Sequence, residues 1–413
     1  MAEISEQLAL LRQKVAAINR KYAENPTGLS VPALPMHSDA IDKVLSGAVV
    51  QSHCGAHFET EKWFARWRRH GSVDISDLIE LPPSLLSAIS GAAVADVAPE
   101  RWAFLDTETT GLAAGSGTYA FLIGIGSIEK EGFRVRQFFL RQHQDEPSQL
   151  AAVSDYLQRF EVLITYNGRS YDQPLLETRY RMCRIRNPLG RMEHVDLLFG
   201  ARRLWKLRLA NCRLTHLENA ILGVERQGDL PGEMIPHYYF DYIRTQRAAN
   251  LVPIFHHNAM DILTLACLTA LVPRAFVAPE KMTVQNGSDL IGLGRWLSAA
   301  GRVGEAIALL RRAIDIGLPD HLLFRTILDV GLLEKKRKNE AAARTAFSEV
   351  ATGPNPWRSR ALEELAKYYE HREKNRALAL EFTRSALSGV ESPALRKREA
   401  RLSKRVDSTR SLI

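Results

Sequence analysis

Residues 104–112 of this 413-residue chain read Phe-Leu-Asp-Thr-Glu-Thr-Thr-Gly-Leu, and this stretch decides the fold. Apolar residues lead into it, and two carboxylates, Asp106 and Glu108, follow one residue apart. Side chains alternate along a strand, so both carboxylates point to one face. Because adjacent anions repel, a divalent cation such as Mg²⁺ or Mn²⁺ gives a reason to place them together. The alternative is an edge strand whose solvated acids run into a turn.

A second polar motif follows a short apolar strand predicted at residues 162–166. Residues 166–172 read Tyr-Asn-Gly-Arg-Ser-Tyr-Asp. Asn167 tolerates a turn from strand to helix, and Gly168 relieves it. Asp172 then lies near a helix start, where negative charge is favoured. Taken alone, Asp172 is best explained as a helix cap, and so is Asp196 at the end of the next predicted strand.

The third motif opens an apolar helix predicted to run to about residue 271, and residues 256–261 read His-His-Asn-Ala-Met-Asp. A lone Asp in such a helix is costly unless it is paired or bound to metal. Pro253 suits the first helical position, which places both histidines inside the helix. His257 then lies within about 40° of Asp261 around the helix axis, and His256 about 140° away. Helix geometry therefore predicts that His257 faces Asp261.

In this order, the three motifs resemble those of the DEDD 3′–5′ exonucleases, which have a ribonuclease H-like fold. The segments at residues 202–205 and 229–232 are similar to the YprB-like branch of that superfamily. The resemblance implies an α/β ribonuclease H-like domain with a mixed central sheet flanked by helices. It also implies hydrolysis of phosphodiester bonds from a 3′ end. The implied substrate is DNA or RNA with a single-stranded 3′ end.

The resemblance further implies roles for individual residues. Two Mg²⁺ or Mn²⁺ ions would be held by four carboxylates, namely Asp106, Glu108, Asp172 and Asp261. Contacts to the substrate would come from Thr109, Asn167, Tyr171 and Asn258. One branch of the superfamily carries a His five residues before the last Asp, and the other carries a Tyr four residues before it. Histidine stands at both offsets here, so the motif leaves the general base open between His256 and His257, and helix geometry favours His257.

Composition indicates an ordinary globular protein with a basic balance. Hydrophobic residues make up 46% and charged residues 25%, with a formal net charge of +8 and a pI of about 9.3. This balance permits an anionic partner such as nucleic acid. Four scattered cysteines without a C-x-x-C pair are typical of reduced thiols in a cytoplasmic protein. We expect no secretion signal. The sequence contains no run of 18 apolar residues, so we also expect no membrane span.

The pattern of elements predicts four regions along the chain. They are an N-terminal helix and hairpin extension (1–97), the ribonuclease H-like exonuclease domain (98–273), an all-α helical-repeat domain (284–395) and a frayed basic tail (396–413). In the repeat region Ala306, Ala343 and Ala379 recur 37 and 36 residues apart, close to the tetratricopeptide period of about 34. Stacked helix pairs form a concave surface that commonly binds a protein partner.

Three functional interpretations follow from the sequence. The first is a two-metal 3′–5′ exonuclease in which residues 1–273 suffice for the chemistry. The second is a non-catalytic adaptor in which the repeats bind a partner and the nuclease fold is a scaffold, although the intact acidic set argues against it. The third is an endonuclease or RNA-trimming enzyme using the same site. Residues 226–242 are predicted to be a loop, either a wall of the substrate channel or a packed connection.

Overall fold

A computed structural model describes residues 40–90, 96–111, 117–281 and 286–410 of the chain. The N-terminal helix predicted within the region 1–97 lies outside the described residues, since the description begins at residue 40. Residues 112–116, which follow the first carboxylate motif, also lie outside them.

A seven-stranded mixed sheet forms the centre of the N-terminal half, in the order β1-β2-β7-β6-β5-β8-β9. Its strands are β1 (Ala48–Ser52), β2 (Gly55–Ala65), β5 (Trp102–Thr109), β6 (Ala120–Glu129), β7 (Gly132–Phe139), β8 (Val162–Thr165) and β9 (Glu193–Asp196). Strand β5 pairs antiparallel with β6 and parallel with β8, which in turn pairs parallel with β9. Two short strands, β3 (Arg69–His70) and β4 (Val73–Asp74), form a separate ribbon. The predicted mixed sheet is confirmed.

Strand β2 joins the predicted N-terminal extension to the central sheet. The predicted hairpin forms, since Val49 lies opposite Phe58. Strand β2 continues to Ala65 and pairs along its length with β7, from Phe58 opposite Phe139 to Ala65 opposite Gly132. The sheet therefore takes strands from both sides of residue 98, and the boundary predicted at residue 97 does not separate two packing units.

Helices cover both faces of this sheet. Their bounds are α1 (Ile41–Val44), α2 (Ile75–Ile79), α3 (Ser87–Ser90), α4 (Glu146–Leu157), α5 (Asp172–Met182), α6 (Leu197–Trp205), α7 (Leu214–Leu217), α8 (Ile235–Thr245) and α9 (Val252–Val277). Short 3₁₀ turns and one π turn (Glu218–Leu222) connect them. Helix α8 occupies part of the segment that was predicted to be a loop.

Strand β5 shows the alternation that the sequence predicts. Trp102 and Phe104 belong to one buried cluster with helix α9, whereas Ala103 and Leu105 pack in another cluster with helices α4 and α5. The even-numbered positions that continue to Asp106 and Glu108 therefore lie on the side of α9.

Helix α9 is the central core helix of the domain. A window within Ala249–Val277 is long and apolar enough to cross a membrane by length and composition, although the sequence was expected to contain no such span. Of that window, 78% is buried inside the protein. Burial by the sheet and by neighbouring helices accounts for its apolar composition.

The C-terminal region is all-helical, as predicted. Its helices are α10 (Gly287–Ala299), α11 (Val303–Ile316), α12 (Asp320–Lys336), α13 (Glu340–Ala351), α14 (Arg358–His371), α15 (Arg376–Leu387) and α16 (Pro393–Arg410). Ala306, Ala343 and Ala379 are buried at equivalent positions, the fourth residue of α11, α13 and α15. The expected frayed tail is wrong, because Leu395 and Leu402 of α16 are buried against the preceding helices.

The first helical pair packs as part of the nuclease-like domain. Leu290, Ile291 and Trp296 of α10 belong to the same buried cluster as α9 and α6. A side chain at Gly292 would meet the backbone oxygen of Arg203 at 2.4 Å, so α10 and α6 need a glycine to approach this closely. Helix α9 itself continues through Pro273 to Val277. The chain thus has no packing boundary at residue 273.

We predict that removal of residues 282–413 exposes this core. Burial of one large apolar side chain contributes about 1.5–3 kcal/mol, so loss of helix α10 removes an amount comparable with the stability of a whole domain. The shortened chain should bind a hydrophobic dye and lose its cooperative thermal transition. Removal of residues 319–413, which keeps α10 and α11, is the matched control and should leave a cooperative transition. If both shortened chains showed the same cooperative thermal transition, helix α10 would not be part of the core of the nuclease-like domain.

Candidate active site

Asp106 is held in place by a side chain of helix α9. Asn258 is completely buried and donates a hydrogen bond from Nδ2 to Asp106 Oδ2 at 2.9 Å. Its Oδ1 accepts from Gln137 Nε2 at 2.8 Å, and Gln137 also donates to the backbone oxygen of Phe255 at 2.9 Å. Opposite Asp106 on β6 lies Gly124, where a Cβ atom would stand 2.2 Å from Asn258 Oδ1. Asn258 therefore positions Asp106 and has no surface left for a substrate.

Asp172 is presented by a turn that Asp196 anchors. Asn167 adopts a left-handed conformation with φ of 66°, and its N–H donates to Asp196 Oδ1 at 2.8 Å. Asp196 also accepts from Leu198 N at 3.1 Å, which confirms its predicted role as an N-cap. Asp172 begins α5, and its Oδ1 accepts from Thr107 Oγ1 at 2.5 Å.

The two histidines of the third motif point in different directions. Helix α9 begins at Val252, so both lie inside the helix as predicted. His257 is buried, with Nε2 3.5 Å from Asp261 Oδ2 and Nδ1 2.9 Å from Asp229 Oδ1. His256 is exposed, and its Nδ1 lies 3.0 Å from Lys62 Nζ. The structure thus confirms that His257, and not His256, faces Asp261.

Arg226 is a buried cation that the sequence interpretation missed. Its Nη2 lies 2.6 Å from Asp261 Oδ1, its Nη1 3.2 Å from Asp229 Oδ2, and its Nε 2.5 Å from Glu218 Oε2. Arg226 and Asp229 come from the segment that was predicted to be either a wall of the substrate channel or a packed connection. Together with His257 they line a cleft of about 530 Å³. The signal available in the sequence was the pair of opposite charges, Arg226 and Asp229, close together in a glycine-containing segment.

Asp229 and Asp261 lie on two sides of the His257 imidazole, and both raise its pKa. Burial lowers the pKa of His257, but the hydrogen bond to Asp229 and the charge of Asp261 outweigh it, so the pKa is raised above its usual value. A carboxylate at Nδ1 fixes the tautomer that carries its proton there. The Nε2 atom, which faces Asp261, is then able to accept a proton.

The four predicted carboxyl residues are partly buried and lie close enough for their charges to interact. Burial, followed by the charges of Asp261 and Asp172, raises the pKa of Asp106 well above its ordinary value. Burial, followed by the charge of Asp106, does the same to the pKa of Glu108. Burial raises the pKa of Asp172 to about 6 and also raises that of Asp261, where His257 and Arg226 oppose it. The structure therefore brings together residues from β5, α5 and α9.

The chemistry of these donors fits a hard divalent cation. All four groups offer carboxylate oxygens, and Asp261 Oδ1 is buried with no well-aligned hydrogen bond, although it lies beside Arg226. Among the residues that the structure describes, no three His, Cys, Asp or Glu side chains form a ready-made ligand cage. An open arrangement is compatible with Mg²⁺, which commonly keeps several waters and takes one or two carboxylates together with substrate phosphate.

The remaining predicted substrate residues lie around these carboxyl groups. Thr109 is partly exposed at the end of β5, and its Oγ1 donates to the backbone oxygen of Gly111 at 2.8 Å. Asn167 is also partly exposed, and Tyr171 is 54% exposed beside Asp172. These three side chains have surface available for a ligand, in contrast to Asn258.

Comparison with known proteins agrees with this geometry. A model of the RNase H superfamily matches residues 103–272, a span that contains all four carboxyl residues. The uncharacterized protein YprB of Bacillus subtilis (strain 168) is 33% identical over 315 residues, which cover 74% of this chain and 75% of that protein. The chain belongs to the YprB family. In this YprB-family protein the RNase H superfamily domain supplies a nuclease-like fold, and the all-helical region follows it.

We predict that Asp106→Asn stabilises the metal-free protein. The raised pKa of Asp106 means that the folded state keeps its proton to higher pH than the unfolded chain, whose carboxyl pKa is about 4. Wild-type stability therefore falls as the pH rises from about 4 through the raised folded value. The advantage of the variant should be small at pH 4 and grow toward pH 8, on the order of 1 kcal/mol for each unit by which the pKa is raised.

Thermal melting in chelator at several pH values measures this effect. Asp196→Asn is the control, because Asp196 Oδ1 accepts from the backbone at Asn167 and Leu198 while Oδ2 accepts from Arg169 N at 3.2 Å, a bond that the amide nitrogen of Asn cannot accept. It should lower the melting temperature. Lower stability of Asp106→Asn than of wild type at pH 8 would contradict repulsion among the four carboxyl groups.

Proposed function

We propose that this YprB-family protein is a metal-dependent nuclease that hydrolyses phosphodiester bonds of DNA or RNA from a 3′ end. The observation that carries the proposal is the convergence of four partly buried carboxyl residues, Asp106, Glu108, Asp172 and Asp261. The negative charges of the neighbouring carboxylates help to raise the pKa of Asp106 and of Glu108. Burying several like charges is unfavourable unless cations neutralise them. The RNase H superfamily match over the same residues supports a nuclease class.

The four carboxylates would hold two Mg²⁺ or Mn²⁺ ions. When bound, such ions lower the pKa of water and neutralise the charge of a phosphodiester in displacement reactions. A hydrogen bond from Asn258 keeps the Asp106 carboxylate oriented toward these ions, and a hydrogen bond from Thr107 does the same for Asp172. Thr109, Asn167 and Tyr171 are the side chains with surface to contact the substrate.

His257 has the geometry of a general base. Asp229 lies at Nδ1 and leaves Nε2 able to take the proton of an attacking water. The proton is transferred to a ring whose positive charge is stabilised by Asp229 and by Asp261 on the other side. Arg226 offsets part of the negative charge at Asp229 and Asp261, so both acids stay close to the imidazole.

The function is tested with purified protein and oligonucleotides labelled at either end. Single- and double-stranded DNA and RNA are incubated with Mg²⁺, with Mn²⁺ or with chelator. We expect cleavage only with metal, mononucleotide release from a 3′ label, and a progressive ladder from a 5′ label. Asp106→Asn should abolish cleavage, whereas Asp155→Asn, the same change at an exposed position of α4, should not.

Other outcomes of this assay lead to other functions. Internal fragments appearing before 3′ mononucleotides would identify an endonuclease. Cleavage of RNA alone would identify an RNA-trimming enzyme. Absence of cleavage from all four substrates with either metal would overturn the nuclease proposal and leave the adaptor interpretation.

The two histidines provide a separate prediction. A general base typically contributes about 10²–10⁴-fold to the rate, so His257→Ala should lose that much turnover at saturating metal. His256→Ala is the matched control, because His256 points toward Lys62 and away from Asp261. Single-turnover rates of both variants decide the question. A large loss in His256→Ala with near-normal His257→Ala would reverse the assignment.

A further inference from the structure

An exposed tryptophan stands in the tight turn between β2 and β3. The turn and the first residue of β3 read Arg-Trp-Arg-Arg over residues 66–69, and all four residues are exposed. Trp67 is 82% exposed, more than any other large hydrophobic side chain in the described ranges. A fully solvated indole among arginines has no evident packing role, whereas Trp and Arg are enriched at the centres of binding surfaces.

Backbone hydrogen bonds hold this turn firmly. Arg66 donates its N–H to the backbone oxygen of Glu131 at 3.0 Å, and its own backbone oxygen accepts from Ser76 N at 3.0 Å. Arg68 donates to the backbone oxygen of Ala65 at 2.9 Å and accepts from Ile75 N at 2.9 Å. Both neighbours of Trp67 are therefore fixed, so the indole is displayed from an ordered turn.

Beside Trp67 lie cations for which the described parts of the chain supply no close carboxylate. Lys62 Nζ and the Arg68 guanidinium lie 5.6 and 5.2 Å from the centre of the Phe64 ring. Within the described parts of the chain, Lys62, Arg66 and Arg68 form no ion pair with a carboxylate. Arg69 has only a long contact with Asp74 at 3.7 Å, both side chains being exposed.

This surface reaches the first turns of helix α9, the helix that also carries His257 and Asp261. Lys62 Nζ lies 3.0 Å from His256 Nδ1, and His256 adjoins His257 in the first turns of α9. Lys62 lies on β2, and Trp67 lies in the turn that follows this strand. A polyanion that reached the carboxylate cluster around the first turns of α9 would pass Lys62 on the side of His256.

We propose that Lys62, Arg66, Trp67 and Arg68 form a single-strand track that binds the nucleic acid upstream of the reacting 3′ end. The cations contact backbone phosphates, and the indole stacks on a base, the combination that serves single-strand binding without sequence preference. The role of this single-strand track depends on the proposed nuclease function. Its ligand is a single strand because a stacking contact requires an unpaired base face.

Binding is measured separately from cleavage. Fluorescence anisotropy with a labelled 20-nucleotide single strand is performed on Asp106→Asn protein in Mg²⁺, so that the strand is not degraded. Adding Trp67→Ala should weaken binding by about tenfold or more, as expected for one stacked base. Adding Lys62→Ala and Arg68→Ala should reduce the slope of log affinity against log salt by about 1.4, because each phosphate contact contributes about 0.7.

Trp63→Ala is the matched control. Trp63 is 43% exposed on the same strand, but Arg134 covers its ring at 5.5 Å and it points to the opposite face from Phe64. It should leave affinity unchanged. Trp67→Ala should also keep the wild-type melting temperature, because its side chain is almost fully solvated.

The catalytic readout uses two substrates of different length. In the otherwise wild-type protein, Trp67→Ala should raise KM for the 20-nucleotide strand and leave hydrolysis of the p-nitrophenyl ester of thymidine 5′-monophosphate unchanged, since that ester is too short to reach the track. An equal loss of kcat/KM on both substrates would contradict the single-strand track.

The binding assay separates failure of the track from failure of the nuclease proposal. Unchanged affinity of Trp67→Ala overturns the track whether or not the protein cleaves nucleic acid. An equal loss of affinity for duplex and single strand overturns the single-strand assignment. Weakened single-strand binding in a protein that cleaves nothing upholds the track and removes the nuclease function.

Discussion

The close packing of helix α9 across strands β5 and β6 is the constraint on which the candidate site depends. Asn258 enters the space that Gly124 leaves open and joins Asp106 to Gln137. Any side chain at position 124 would push the helix away and break this link. The same packing sets the distance between the carboxylates of β5 and Asp261. Gly124 in the buried strand β6 therefore sets how closely helix α9, which carries Asp261, approaches the carboxylates of β5.

Electrostatics make this site unfavourable for stability and suitable for cation binding. Burial and mutual repulsion raise the pKa of Asp106 and Glu108, while Arg226 ties Asp261 to Asp229 and Glu218. The arginine neutralises one side of the cluster, and the side near β5 is left without a comparable cation in the described residues. Functional sites commonly retain such unfavourable charge, and the surrounding core supplies the stability that holds it.

That supporting core extends beyond the nuclease-like fold on both sides. Strand β2 adds a paired strand against β7, and helix α10 covers α6 and α9. The residues that bring a basic surface to His256 belong to the first addition, since Lys62 and Trp67 lie on or just after β2. Segments that appear peripheral in the linear sequence thus contribute both to stability and to the surroundings of the site.

Features that depend on local periodicity could be predicted from the amino-acid sequence. Alternation along β5 placed Asp106 and Glu108 on one face, and the four-residue spacing on a helix placed His257 beside Asp261, because both follow from backbone geometry. The contacts of Arg226 with Asp261 and of Lys62 with His256 could not be predicted, because they join residues 35 and 194 positions apart. No local pattern encodes such pairs, since they arise when distant segments pack on the same helix. For the same reason, the hydrogen bond of Asn258 to Asp106 and the packing of the first C-terminal helical pair into the core could not be predicted from the sequence.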